Sequence, residues 1–467
     1  MSNIIQLKNW SFIGVTLLLG IMIYSCERIE EEITTDQSAR LSFSTDTVLF
    51  DTVLSSVGSI TQRLRIYNPN DRAVELSDLR LGTGDDSPYT ITVNGEIGKQ
   101  FENTVILGQD SLLVLVEVLI DPQNEATPFL VKDSLVVESN GNFSDVKLVA
   151  YGQDAIFIDN GIFTCDAVLT AGRPYVIRNA ALVDTLCTLT VEAGTRILMD
   201  NDAILAVKGK LLIEGDTANP VVIRNTRLDL RFSEVPGQWN GIFFLDGSNG
   251  NKINHAQISN GQIGLSSGNP ENTAIIDLEV RNTLIQNMSF AGIFSVNSDI
   301  IAVNNILNNC GTYMVANFGG GDYAYLHNTF INLPNDFIRD EPSIQISDFL
   351  PVSQTEVIVN DLSVEAINNI IWGGQDEELL VALQVGGEID IRNNVIRSET
   401  DWLGTDNFVS IERNFPGFED ISRRDYRIDS LGFSRDKGID VGVAFDFLEI
   451  MRDANPDLGA LERVDPE

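Results

Sequence analysis

The sequence predicts an all-β protein in which a small β-sandwich precedes a longer parallel β-solenoid. Three observations predict this fold class. Short runs of β-branched and aromatic residues alternate with turn residues early in the chain, an asparagine-rich motif recurs later at intervals of 20 to 25 residues, and helix-forming segments are scarce. Both parts are therefore expected to build their cores from strands.

The first 25 residues have the features of a cleavable signal peptide. Lys8 precedes an apolar run of 15 residues from Trp10 to Tyr24, which is shorter than the roughly 20 residues that span a bilayer. The run leads into Ile23–Cys26, which resembles the lipobox of bacterial lipoproteins. This resemblance implies that Cys26 is acylated and becomes the N-terminus. The alternative is an ordinary secretory signal in which Cys26 is incidental.

Residues 26–40 form an acidic linker. Its tract Glu27–Glu32 resembles the export signals that carry lipoproteins to the outer face of the outer membrane in Bacteroidetes. The resemblance implies an outer-membrane lipoprotein facing the cell exterior. A solvated acidic spacer is the alternative, and the sequence does not decide between the inner and outer faces.

Charge and cysteine content restrict the partners of the chain. The formal net charge of -36 disfavours nucleic acid and anionic lipid, because both would meet a repulsive field. Neutral glycans, cationic partners and calcium-bridged polyanions remain compatible with it. With Cys26 assigned to lipid, Cys165 and Cys187 can pair in an oxidising compartment, which leaves Cys310 as a buried thiol. No metal site is predicted, since cysteine and histidine do not cluster.

Residues 41–154 are predicted to form the β-sandwich. Four β-rich runs are separated by turn residues and lie at Asp46–Phe50, Gln62–Tyr67, Leu112–Ile120 and Asp145–Ala150. The pattern resembles the immunoglobulin-like domains of the Hydin/ASH type. Such domains usually serve as spacers or adhesive modules, so the resemblance implies no catalysis.

Residues 155–415 carry the repeat that predicts the solenoid. The motif begins with an asparagine, and the starting residues lie 22, 24, 40 and 25 positions apart, with an inserted loop in the longest interval. The predicted structural turn residues are Asn282, Asn304, Asn328, Asn368 and Asn393. Asparagine adopts left-handed backbone geometry readily and can bond to the asparagine one coil away, about 4.8 Å along the stack. The spacing therefore predicts an asparagine ladder without any ligand.

The first coils resemble the right-handed parallel β-helix proteins of the pectin-lyase-like group. The resemblance rests on Leu189–Ile197, Leu205–Gly215, Asn219–Ile223 and Pro236–Phe243. Residues 416–467 resemble the closing segment of bacterial β-helices, which implies that they cap the open edge of the solenoid. Within that segment, a short helix is the expectation for Phe445–Arg452.

Relatives of this fold include polysaccharide lyases and glycoside hydrolases, but the coils lack the familiar motifs of polygalacturonase-like hydrolases. A lyase would need a calcium cluster beside a basic residue, so Ca²⁺ is a cofactor only in that case. Arg281 and Arg392 precede the repeated asparagine and are interpreted as surface charges. The tract Asp376–Glu378 is interpreted as a solvated loop, with calcium recruitment as the alternative.

Two further features are interpreted as structural or incidental. His255 and His327 fall in different registers of the repeat, so they are not expected to meet. The segment Gly264–Gly268 matches the G-x-S-x-G string of hydrolases, but that chemistry requires a strand-to-helix turn, which a solenoid coil does not provide. No catalytic residue is therefore predicted.

Aromatic residues provide the candidate binding surface. If strand alternation buries Ile242 and Ile293, it turns Phe243 and Phe294 outward on one sheet, where they can stack on sugar rings. The additional candidates are Trp239, Tyr323 and Tyr325. The alternative is that a loop or the neighbouring domain covers these rings.

The sequence thus predicts a surface-anchored lipoprotein whose β-helix is a binding or adhesion platform for glycan or another cell-surface polymer. A carbohydrate-active enzyme, either a polysaccharide lyase or a glycoside hydrolase, is the first alternative. A structural envelope protein is the second.

Overall fold

The computed structural model describes residues 31–271, 274–333, 337–400, 406–412 and 416–464. The signal peptide predicted over residues 1–25, Cys26 and the linker up to residue 30 lie outside them. None of the helices among the described residues is long and apolar enough to cross a membrane.

The chain divides into two compact units. Unit 1 comprises residues up to 50, 56–121 and 130–151, and unit 2 comprises 51–55, 122–129 and everything from 152 onward.

Unit 1 contains two antiparallel sheets. The first consists, in spatial order, of Ser42–Phe43, Gln62–Tyr67, Ser111–Val118, Tyr89–Val93 and Glu96–Gly98. The second consists of Thr47–Leu54, Asn142–Gln153, Phe129–Ser139, Val74–Leu81 and Gln100–Phe101, with Thr104–Ile106 also paired to Val74–Leu81. A 3₁₀ turn spans Gly84–Asp86. Alternate residues are buried, and Phe50 meets Tyr89 of the other sheet with ring centroids 5.8 Å apart. The core therefore lies between the two sheets.

Unit 2 contains the predicted solenoid, a single sheet of 25 parallel-paired strands wound into three faces. Face A consists of Ala167–Leu169, Thr188–Glu192, Lys210–Glu214, Asn251–Asn254, Asp277–Arg281, Leu362–Ile367, Glu388–Arg392 and the second halves of Ala291–Val303 and Tyr313–Leu326. Face B consists of Arg196–Met199, Val221–Asn225, Ala256–Ser259, Leu284–Met288, Ile306–Cys310, Thr329–Asn332, Ile370–Gly373, Val395–Arg397 and Phe408–Ser410.

Face C consists of Ile204–Val207, Gly241–Phe244, Ile263–Ser267, Ile344–Ser347, Leu379–Ala382 and the first halves of Ala291–Val303 and Tyr313–Leu326. The strands Ile156–Ile162 and Tyr175–Val183 begin the solenoid and bend from face B to face C. Outside the faces lie the hairpins Phe349–Pro351 with Val357–Val359 and Phe418–Asp420 with Asp425–Ile428, and the 3₁₀ turns Leu230–Phe232 and Ile421–Arg423. Inward-facing aliphatic residues from all three faces form one continuous core. The prediction of an all-β solenoid is confirmed.

The corner between faces A and B carries two stacks of polar residues. The first stack, the turn column, has left-handed backbone with φ between 48° and 60° and consists of His255, Asn282, Asn304, His327, Asn368 and Asn393. The second stack, the asparagine ladder, consists of Asn305, Asn328, Asn369 and Asn394, which each follow a residue of the turn column, and of Asn407 in the next rung. In the ladder, each side-chain Oδ1 accepts the backbone N–H of the preceding rung, for example Asn305 N to Asn328 Oδ1 at 2.8 Å.

The structure corrects the predicted register of the repeat by one residue at the coil of Asn328. Asn328 belongs to the ladder, and His327 occupies the turn column. His255 also occupies the turn column. Asn254 pairs with Arg281 at the end of the strand on face A, so the next residues, His255 and Asn282, stand at the same position of the corner. The two histidines therefore share one register, contrary to the prediction, although the coils of Asn282 and Asn304 separate them.

Residues 416–464, the closing segment, run along the outer side of face B. Tyr426, Ile428, Leu458 and Leu461 pack there against outward-facing residues, which are Ile306, Ile370, Trp372 and Val395. Polar contacts reach the turn column, since Arg452 Nη2 donates to Asn304 Oδ1 at 3.0 Å. The sequence predicted a cap at the open edge, whereas these contacts are lateral. The predicted helix at Phe445–Arg452 is wrong, because the carboxylate of Asp446 accepts two N–H groups of a turn and Phe445 bridges Met451.

Candidate functional site

Three of the predicted binding residues are buried inside the solenoid, so the prediction that they face outward is wrong. Trp239 is fully buried and lies beneath Gly261, where an added Cβ atom would be 3.0 Å from the indole ring. The indole Nε1 of Trp239 donates a hydrogen bond to Ser259 O at 2.9 Å. Tyr323 and Tyr325 pair with the core positions Ile300 and Ala302 and stack with centroids 6.4 Å apart.

The phenols of these two tyrosines have partners inside the solenoid. The hydroxyl of Tyr323 donates to Gly320 O at 2.8 Å, and that of Tyr325 accepts from Asn317 Nδ2 at 2.6 Å. Burial raises the pKa of both tyrosines. They are therefore neutral core residues that cannot reach a ligand outside.

Phe243 and Phe294 do face outward on face C, between buried neighbours such as Ile242 and Ile293. Phe294 belongs to a contiguous group of rings from two successive coils. We call this group the aromatic patch, and it consists of Phe290, Phe294, Tyr313 and Phe318. Adjacent centroids lie 5.9 to 6.2 Å apart. Phe290 is 36% exposed, and the other three rings are half-buried.

Two loops border the aromatic patch. The first loop lies at the corner between faces B and C. There the ring of Phe337 packs against Gly311, and a Cβ atom added to Gly311 would lie 3.2 Å from that ring. On the side of the corner between faces C and A, Leu350 and Ile358 of the hairpin stand over the turn at Gly319. The patch is thus a cluster of tilted and edge-to-face rings between two walls, a geometry that suits an elongated ligand.

The sequence predicted Phe294 but missed the other three rings of the patch. Phe318 pairs with Val296, which lies two residues after Phe294 and just before a register shift, so Phe318 shares the outward side with Phe294. Phe290 and Tyr313 lie at the corner that leads into face C. An alignment of the two coils by their turn residues would have brought these rings together.

The two histidines are held by their own coils. Asn368 Nδ2 contacts His327 Nε2 at 2.8 Å, and burial holds the pKa of His327 well below its usual value. His255 lies beside Asn282 and Glu449, whose carboxylate oxygen Oε1 is 3.4 Å from its Nε2. Burial also lowers the pKa of His255, so that imidazole is neutral at pH 7. His255 borders a cavity.

The basic and acidic residues considered for a lyase are engaged within the protein. Arg281 pairs with Glu279, and Arg392 pairs with Asp390 at 3.2 Å. In the acidic tract, Asp376 pairs with Arg397, Glu377 accepts from Ser398 and Thr400, and Glu378 is buried against Arg339. Among the residues that the structure describes, no group of three or more His, Cys, Asp or Glu side chains is placed to hold a metal ion.

Two other sequence features have definite positions. Cys165 and Cys187 form a disulfide, and Cys310 is a buried free thiol whose pKa burial raises to about 12. Ser266, in the G-x-S-x-G string, lies within the strand Ile263–Ser267 and not at a strand-to-helix turn. Its setting thus differs from that of a hydrolase nucleophile.

Comparison with known proteins gives no family for this chain. No protein-family profile matches it, and no curated protein matches it. Among solved structures, it is similar to a protein of unknown function from Porphyromonas gingivalis W83, with 13% identity and a TM-score of 0.18 over 27% of this chain and 60% of that one. It is also similar to a family 123 glycoside hydrolase from Clostridium perfringens, with 9% identity and a TM-score of 0.17 over 27% of this chain and 30% of that one. Similarities this small carry no argument about function.

Proposed function

We propose that unit 2 is a carbohydrate-binding platform and that the aromatic patch on face C is its binding surface. One observation carries the proposal, namely the four contiguous rings that lie outside the core between two walls. A contiguous exposed apolar patch on a protein surface usually marks an interaction site. Flat rings that are rigid and partly exposed suit the flat apolar face of a pyranose ring.

Charge favours a neutral polymer as the ligand. The net charge of -36 repels uronic acid and sulfated chains unless cations bridge them. The parallel coils place the rings of the two rungs with centroids 5.9 Å apart, so the patch offers repeated contacts to a repeating ligand. We therefore expect binding to strengthen with chain length.

Adsorption of the purified full chain to insoluble cellulose, xylan, chitin and β-1,3-glucan tests the proposal. Phe294→Ala and Tyr313→Ala should each weaken adsorption to the bound polymer by roughly tenfold, which corresponds to about 1.4 kcal/mol. Phe143→Ala is the matched control, because Phe143 is a 70% exposed phenylalanine in unit 1. Equal adsorption by all three variants, or adsorption to none of the polymers, would contradict the proposal. Release of soluble sugar would instead indicate an enzyme.

We also propose that the chain is held at the outer membrane through lipid on Cys26. Support comes from the apolar leader and the Ile23–Cys26 segment. Stable anchoring needs more than one acyl chain, since each buried CH₂ contributes about 0.8 kcal/mol. Labelled palmitate should enter the wild-type protein but not Cys26→Ala, and the variant should leave the membrane fraction. Membrane retention of unlabelled Cys26→Ala would refute the anchor.

A further inference from the structure

A cavity of about 600 Å³ lies in unit 2 where the closing segment passes the turn column. We call it the corner cleft, and its lining includes Asn254, His255, Arg281, Asn282, Phe445 and Glu449. The volume falls within the range of small-molecule sites, about 300 to 1,000 Å³. The cleft lies at the corner between faces A and B, whereas the aromatic patch lies on face C.

One wall of the corner cleft presents an aromatic ring. Phe445 is 49% exposed, while its carbonyl accepts a hydrogen bond from Asn304 Nδ2 at 2.7 Å. The backbone is thus tied to the turn column and the ring is left uncovered. A ring held in this way beside polar groups can provide a stacking surface at little entropic cost.

The opposite wall presents amide and imidazole groups in fixed positions. Asn282 Nδ2 donates to Asn254 Oδ1 at 3.1 Å and contacts His255 Nε2 at 3.3 Å. The side chain of Arg281 is 43% exposed, although its Nε is occupied by Glu279. The amides bond to one another within the coils, so they fix the shape of this wall, and the partly exposed guanidinium of Arg281 is the donor that the wall presents.

Glu449 supplies a carboxylate at the mouth of the corner cleft. Its side chain is 59% exposed, and its backbone takes the strained left-handed conformation, with φ of 63°. Asp446 fixes that turn by accepting the N–H groups of Leu448 and Ile450, both at 2.8 Å. Because most of its side chain is exposed, Glu449 can accept hydrogen bonds from hydroxyl groups at the mouth of the cleft.

We infer that the corner cleft is a second binding site, which takes one neutral sugar unit. Phe445 stacks on the face of the pyranose ring, Glu449 accepts hydrogen bonds from its hydroxyl groups, and the guanidinium of Arg281 donates to its oxygens. The carboxylate of Glu449 disfavours a uronic acid, because Arg281, a cation lining the cleft, already pairs with Glu279. The inference is independent of the aromatic patch, because no residue is shared between the two sites.

The probes are the methyl glycosides of glucose, galactose, mannose, xylose and N-acetylglucosamine, with methyl glucuronide as the anionic comparison. Saturation-transfer NMR on the purified full chain identifies a binder, and calorimetry measures its affinity. Phe445→Ala and Glu449→Gln should each weaken binding by roughly tenfold or more. Leu448→Ala is the matched control, since Leu448 lies in the same turn, is 42% exposed and does not line the cleft.

Glu449→Gln keeps the shape of the side chain, so it carries the test even if Phe445→Ala loosens the closing segment. The inference is overturned if no neutral glycoside binds, if methyl glucuronide binds more tightly than all of them, or if Glu449→Gln binds as the wild type does. Adsorption of polysaccharide by the aromatic patch should remain unchanged in Glu449→Gln, which distinguishes failure of this site from failure of the proposed function.

Discussion

Replacing Asn328 with alanine tests how much the asparagine ladder stabilises the coils. Asn328 is fully buried, and its Oδ1 accepts the N–H of Asn305 at 2.8 Å. Its Nδ2 donates to Ala302 O at 2.9 Å and to Asn369 Oδ1 at 3.0 Å. Alanine at position 328 still donates its backbone N–H to Asn369 Oδ1, so that oxygen keeps a partner after the change. The substitution therefore removes the side-chain acceptor of the buried Asn305 N–H, together with the bonds to Asn305 Nδ2 and Ala302 O.

An unsatisfied buried N–H costs about 1 to 3 kcal/mol and each further lost hydrogen bond about 1 kcal/mol, so the expected loss is about 4 kcal/mol in the free energy of unfolding. With a urea dependence of about 3 kcal/mol per molar, the midpoint of unfolding should fall by more than about 1 M. Fluorescence of the buried Trp239 and Trp372 reports the transition of unit 2. Hydrogen exchange should also show faster exchange at the amide of Asn305.

Asn201→Ala is the matched control for Asn328→Ala, because Asn201 is exposed and bonds only to side chains and backbone of its own turn. Surface changes of this kind usually stay within about 0.5 kcal/mol. If Asn328→Ala unfolds at the same urea concentration as Asn201→Ala, the ladder does not stabilise the coils and the reasoning is refuted.

Arg339→Met removes the partner of the buried Glu378 carboxylate, 2.7 Å away, and should cost about 3 to 5 kcal/mol in urea unfolding. Adding Glu378→Gln should recover part of that loss, and a double variant as unstable as the single one would contradict this account. Burial raises the pKa of Glu462 to about 7 from 4.5, so its contribution to stability is complete below pH 4.5 and is lost as the pH rises through 7. The melting temperature should fall from pH 5 to pH 8, less so in Glu462→Gln, and parallel curves for the two proteins would count against it. Replacing both Cys165 and Cys187 with serine removes a cross-link across 22 residues and should cost about 3 kcal/mol, an effect that reduction of the wild type should reproduce.

The solenoid could be predicted because its signal is local and repeated, but its register could not be fixed completely. Pairs such as Asn304-Asn305 and Asn368-Asn369 offer two neighbouring asparagines for each turn, and both alignments give similar spacings. Only the structure separates the left-handed residue from the one that builds the ladder. At His327-Asn328 the motif retains a single asparagine, and there the choice of the first asparagine was wrong.

The candidate site was predictable only where strand alternation holds without interruption. Phe243 and Phe294 follow buried isoleucines in regular strands, so their direction was correct. Tyr323 and Tyr325 follow the glycine run at 319–321, which resets the alternation and turns them into the core. The corner cleft depends on contacts between residues far apart in sequence, such as Asn304 with Phe445, and periodicity contains no information about those contacts.

The short corner between faces A and B has a consequence for protein engineering. From Asp277–Arg281 through Val395–Arg397, two residues at most join those faces, whereas the corners of face C accommodate the loop before Ile344 and the hairpin before Leu362. Foreign peptides grafted at the hairpin tip near Ser353 should be displayed without disturbing the coils. The same grafts after Asn304 should prevent folding, because they would pull adjacent amides out of reach of one another.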